Sequence, residues 1–160
     1  MVSAQLSREV VEGESSMSNG YQKYKNTSIQ SASREKLLLM MYEGAIKFTK
    51  LALTASEQKK IAERGTNIGR AYDIILELNN TLDHKVGGDI SKNLESLYMY
   101  LTDQLTAGNL SGDPQNLKNV LKVLETLHDG WLKAIEQLKK ENADKEKTAK
   151  DNKANDSKVG

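Results

Sequence analysis

The chain has 160 residues, about the size of one domain, and its 23 Lys and Arg against 22 Asp and Glu give a formal net charge of +1 at pH 7. Residues 1–32 and residues 141–160 each sum to zero, so no segment carries the basic stripe that a nucleic-acid binder needs. The absence of cysteine excludes disulfides, thiolate nucleophiles and Cys-ligated metals.

A single proline, Pro114, 5% aromatic residues and long 3.6-period patterns point to an all-α chain. The expected architecture is an antiparallel four-helix bundle over residues 33–140. A flexible N-terminal arm (residues 1–32) precedes it and a disordered, charged tail (residues 141–160) follows. The arm is thin in core-forming side chains until Tyr21 and Tyr24, and its acidic start has no apolar stretch of the secretory-signal kind. The first helix begins after Ser33, a good N-cap, with Glu35 placing negative charge in its first turn, and runs to about Ser56. The second covers roughly Glu57 to Asp83 and is expected to stop at Gly87-Gly88. Asp89 is expected to cap the third, which reaches about Thr106 and closes at Gly108-Asn109. The fourth starts at Asp113-Pro114, an N-cap followed by proline at the first helical position, where the missing N–H costs nothing. Beyond about Lys140 only alanines and one valine are apolar, too few to offset the entropy of ordering. The longest apolar run, Leu37–Tyr42, is far short of the roughly 20 residues of a membrane helix, so a soluble protein without membrane insertion is expected.

On a helical wheel the first helix has a core stripe of Leu37, Met40, Met41, Gly44, Ala45, Phe48, Leu51, Ala52 and Ala55. A second stripe of Leu38, Leu39, Tyr42, Ile46 and Leu53 lies on nearly the opposite side. Such a helix is either central in its bundle or presents apolar surface to something else. The second helix offers Ile61, Ile68, Tyr72, Ile75 and Leu82, flanked by Ile74 and Leu78. The third offers Ile90, Leu94, Leu97, Tyr98, Leu101 and Leu105, with Met99 and Tyr100 outside the stripe. The fourth carries Leu117, Val120, Leu121, Leu124, Trp131, Ile135 and Leu138.

Catalytic chemistry has no support in the residues. Glu125-x-x-His128 has the spacing of a metal pair in di-iron bundles, but the other histidine, His84, has Thr81 three residues before it, so the second pair is missing. His128 is better read as a hydrogen-bonded core or bundle-end side chain. A phosphotransfer histidine would stand exposed beside Lys and Gly within one helix, whereas His84 falls at an expected helix end. There is no GxxxxGK[ST] and no GxGxxG loop. No enzyme activity, metal or other cofactor is expected.

Several strings carry a resemblance when read together and in order. They are Tyr21 and Tyr24, SREKLLLMMYEGAIKF at 33–48, NIGRAYDIILELNNTLDHKVGGDISKNLESLYMYLTDQL at 67–105, and Leu127-His128-Asp129-Gly130-Trp131. From Tyr21 to Trp131 the chain resembles the flagellin export chaperone family, FliS. Met41-Tyr42-Glu43-Gly44-Ala45, Leu82-Asp83 with Gly87-Gly88, and Asn93-Leu94 with Leu97-Tyr98 are its most specific elements. Arg34 departs from the proline that the family usually has there, which bears on helix initiation alone.

The resemblance implies a helical bundle in the bacterial cytoplasm that binds the disordered C-terminal segment of flagellin. Binding would stop premature polymerisation and keep the subunit competent for type III export. It also implies docking to the cytoplasmic part of the export gate. A segment that folds on binding must bury roughly 1,000–3,000 Å², which calls for long apolar grooves. Leu38, Tyr42, Ile46 and Leu53, with Ile74, Leu78, Met99 and Tyr100, are the candidate groove residues, and methionine suits an adaptable surface. Tyr21 and Tyr24 resemble the family's N-terminal cap; the alternative is that they anchor the arm to the bundle. Whether the free protein is a monomer or an arm-exchanged dimer stays open. So does a different reading, a non-flagellar helical bundle that associates with itself through the extra stripe.

Overall fold

Ser33 opens the first helix as its cap, its Oγ accepting from the Lys36 backbone N–H at 3.2 Å. In this computed structural model the described residues are 33–158. They form four helices: α1 Arg34–Glu57, α2 Ile61–Asn80, α3 His84–Ser111 and α4 Pro114–Asp156. Connections of two or three residues turn each helix back along its predecessor, and α3 packs against both α2 and α4. Among the described residues there is no strand, and none of these helices is long and apolar enough to cross a membrane. The expectations for the arm, residues 1–32 with Tyr21 and Tyr24, fall outside the described residues.

The start of α4 is as expected: Asp113 Oδ1 accepts from the Gln115 N–H at 2.9 Å, with Pro114 next to it. Three other boundaries differ from the sequence reading, each for a local reason. After Glu57 the chain breaks at Lys59, which adopts φ 58°. The Lys60 N–H reaches Ala55 O at 2.8 Å and the Lys59 N–H reaches Ser56 O at 3.2 Å, the bond pattern of a Schellman cap with lysine in the place usually held by glycine. The second helix therefore begins at Ile61. At the next corner the cap is Asp83 and not Asp89, because its Oδ1 accepts from the N–H groups of Lys85 and Val86. Gly87-Gly88 consequently sits inside α3, where Gly88 (φ 50°, ψ −121°) kinks the helix instead of closing α2. A Cβ on Gly87 would collide with Ser91 Oγ, which donates to Asp83 O at 3.0 Å across the kink. At its far end α3 passes through Gly108 and stops at Gly112, whose φ of 71° is the left-handed terminator.

The tail is the largest correction. Its composition predicts disorder from residue 141, with helix four extending at most into its start, yet α4 continues to Asp156 with every side chain beyond Ile135 exposed. No packing sustains this stretch. Once α4 is nucleated, each added residue gains a backbone hydrogen bond, and Ala, Lys and Glu are good helix formers.

The core lies between the inner faces of all four helices. Ile68, Ala71, Ile75 and Leu78 come from α2, Leu94, Tyr98, Leu101 and Leu105 from α3, and Leu117, Val120 and Leu124 from α4. On α1 the buried line is Tyr42, Ala45, Thr49, Ala52, Ala55 and Ser56, which differs from both stripes drawn on the wheel. Small side chains let α1 seat closely. Thr49 disposes of its hydroxyl by donating to Ala45 O at 2.7 Å. Leu51, Ile61, Ile90 and Leu138, all expected in the core, are exposed.

Candidate functional site

Tyr42, expected in a groove, is instead fully buried at the centre of a polar contact between three helices. Its Oη is hydrogen-bonded to Tyr98 Oη of α3 and accepts from Trp131 Nε1 of α4 at 3.2 Å. Burial raises the pKa of Tyr42, with the bonds from Tyr98 and Trp131 opposing it. Burial raises that of Tyr98 too, reinforced by the bond to Tyr42 and by that group's charge. Both phenols therefore stay neutral, and the arrangement can hold α1 in one register without performing acid–base chemistry. Leu78 is likewise fully buried. These two residues are core, and their expected groove role is corrected on that ground.

The other six groove candidates reach the surface to different degrees. Leu38, Ile46, Leu53 and Ile74 are partly buried against the edge of the core. Met99 and Tyr100 stand out on α3, 60% and 41% exposed. Ile74 lies where α2 meets α1: its Cδ1 is 3.3 Å from the position of a Cβ on Gly44, so the two helices approach through glycine. Ile46 lines a cleft between α1 and α4. The eight candidates therefore do not share one surface. Two exposed residues that the wheel had placed in a stripe or passed over are Ile90 and Val86, on either side of the Gly88 kink. The sequence reading ended the second helix before Val86 and started the third at Asp89, so it could not show that α3 already begins at His84.

The α1–α4 cleft is open, with a volume of about 550 Å³. Ile46 and Leu51 are its apolar lining, and Lys47, Lys50 and Thr54 also line it from α1. One ion pair, Lys50 Nζ to Glu125 Oε1 at 3.5 Å, and one hydrogen-bonded contact, Glu43 Oε1 to His128 Nε2 at 3.3 Å, cross it. His128 is therefore a half-buried bundle-wall residue with a carboxylate partner. His84 pairs with Glu95 at 3.2 Å, bridging the kink in α3. Among the described residues no three His, Asp or Glu side chains converge as a metal site would require.

Comparison with known proteins bears on these surfaces. The family model described as flagellar protein FliS matches residues 17–138. The flagellar secretion chaperone FliS of Vibrio cholerae serotype O1 is 35% identical over 119 residues, covering 72% of this chain and 88% of that protein. The flagellar secretion chaperone FliS of Bacillus subtilis is 31% identical over 123 residues, covering 77% of this chain and 91% of that one. A crystal structure of a flagellar chaperone from bacteria superposes with a TM-score of 0.62 at 20% identity, over 74% of this chain and 96% of the other, a likeness of fold.

Proposed function

Since the chain belongs to the FliS family of flagellar proteins, we propose that it is an export chaperone acting in the bacterial cytoplasm by stoichiometric binding, without turnover or cofactor. Its client on this reading is the disordered C-terminal segment of flagellin. Covering that segment prevents premature polymerisation and keeps the subunit competent for flagellar type III secretion. Docking of the loaded chaperone to the cytoplasmic part of the export gate belongs to the same reading.

The observation that carries it is apolar surface left open on a folded bundle. Leu51, Val86, Ile90, Met99 and Tyr100 are all exposed, although the core beneath them is closed by fully buried leucines and the Tyr42–Tyr98 contact. A helix-forming client laid along such a surface buries its own apolar face and the chaperone's together. Leu38, Ile46, Leu53, Ile74, Met99 and Tyr100 remain the client surface proposed, and Tyr21 and Tyr24 the cap over it.

The test uses a fluorescent peptide of the flagellin C-terminal region and the double variant Met99→Asp/Tyr100→Asp, whose sites are exposed enough to leave helicity intact. Loss of peptide binding with unchanged circular dichroism supports the surface. Unchanged binding removes these residues from it. A free protein that sediments as a stable oligomer and binds no peptide favours the self-associating bundle.

A further inference from the structure

The charges around the α1–α4 cleft are unevenly satisfied. Each acid there has a partner: Glu43 has His128, Glu125 has Lys50, and Asp129 has Lys133 at 3.0 Å. Lys47 on α1 and Lys118 and Lys122 on α4 have no carboxylate within ion-pair distance among the described residues. The lysines without an ion-pair partner thus outnumber the carboxylates without one on this face, which is net positive although the chain as a whole is nearly neutral.

The lysines also stand over apolar ground. A second cleft of about 410 Å³, lined by Lys118, Leu121 and Lys122, adjoins the first across Glu125. Because Glu43 meets His128 and Lys50 meets Glu125, α1 and α4 run antiparallel here. Leu121 and its two lysines accordingly lie opposite the stretch of α1 that contains Leu51. Ile46 and Leu51 in the first cleft and Leu121 in the second are thus apolar lining with lysines beside them, from α1 in one cleft and from α4 in the other. A neutral apolar guest would cover that lining and leave the lysines unpaired, and a basic one would be repelled. A helix with aliphatic side chains on one stripe and carboxylates on both flanks satisfies all of them.

We propose that the α1–α4 face is a second docking surface, which takes an acidic amphipathic helix of a partner protein. It borders the client surface, sharing Ile46 with it, but none of the three lysines that set its charge preference belongs to that surface.

The probe is a labelled amphipathic peptide of about 18 residues with leucines at helical spacing and glutamates on both flanks. It is titrated by anisotropy against the full chain, beside a version with lysine for each glutamate and a scrambled glutamate version. The acidic amphipathic peptide is expected to bind at least about tenfold more tightly than either control, and less tightly as salt is raised. In Lys47→Glu/Lys118→Glu/Lys122→Glu its affinity falls at least about tenfold, with helicity and flagellin-peptide binding unchanged. Equal binding of the acidic and lysine peptides, or an unchanged affinity in the triple variant, overturns the proposal. Loss of flagellin-peptide binding in that variant as well overturns the claim of a separate surface. Acidic-peptide binding by a chain that ignores the flagellin peptide upholds this inference and removes the function proposed above.

Discussion

Removing one oxygen at the centre of the bundle tests how α1 is held. In Tyr42→Phe the ring still fills its fully buried site, but Tyr98 Oη and Trp131 Nε1 lose their shared partner. Tyr98 is 2% exposed, so its hydroxyl cannot turn to solvent and carries the cost of a buried unsatisfied group, about 1–3 kcal/mol. Trp131 is only half-buried and recovers part of its loss from water, so about 2 kcal/mol is expected in total. Tyr98→Phe leaves Tyr42 the donor from Trp131 and should cost nearer 1 kcal/mol. The double variant replaces both hydroxyls by apolar groups and should cost less than the sum, with a coupling of about 1 kcal/mol. Urea unfolding followed by circular dichroism and by the single tryptophan reads these values, with midpoint shifts on the order of 1 M for Tyr42→Phe. Strict additivity of the two substitutions, or a loss below about 0.5 kcal/mol for Tyr42→Phe, would refute the reasoning.

The remaining predictions concern the backbone, pH and the tail. Lys59→Gly should stabilise by roughly 0.5–1 kcal/mol, because lysine at φ 58° occupies a left-handed cap that glycine fills without strain; a lower denaturation midpoint would show that the lysine side chain matters more than its backbone. Gly88→Ala should destabilise by about 1–3 kcal/mol through conformation alone, since nothing lies within 4 Å of the added Cβ. Burial makes both core tyrosines bind their protons more tightly folded than unfolded. Their contribution is therefore complete below the unfolded tyrosine pKa of about 10 and lost as pH rises beyond it. The Tyr42→Phe/Tyr98→Phe chain should accordingly lose less stability than wild type between about pH 9 and 11.5 in parallel urea titrations. Ending the chain after Lys140 should lower the helical signal yet leave the unfolding free energy within about 0.5 kcal/mol, because the removed residues are exposed.

What could be read from the sequence was whatever had a local chemical signature. Asp113-Pro114 announces a helix start through side-chain and ring chemistry, and the structure has it there. The break at Lys59 had no such sign, since the residue that takes the left-handed conformation is not glycine. Asp83 and Asp89 are equally good caps on paper. Ser91 Oγ reaching back to Asp83 O is the tertiary detail that accompanies the choice. The buried face of α1 was missed because apolar residues occupy most of its circumference. Close approach then decides the matter, and Ala45, Thr49 and Ala52 permit it where Leu51 does not. The same ambiguity put Tyr42 in the groove and Leu51 in the core, while Leu78 was read as a flank of the α2 stripe although it is fully buried. The helical tail was missed for a different reason: its composition speaks to packing, while its helix rests on propagation from α4.

The central claim is that this chain works by folding a disordered flagellin segment onto its apolar surface. Calorimetric titration of the full chain with a flagellin C-terminal peptide at several temperatures tests it most directly. Burial of about 2,000 Å², roughly two thirds of it apolar, predicts one-to-one binding with a heat-capacity change of about −0.4 kcal/mol/K. A folded chain that gives no heat with the peptide at any temperature, or binds it with no heat-capacity change, would contradict the account.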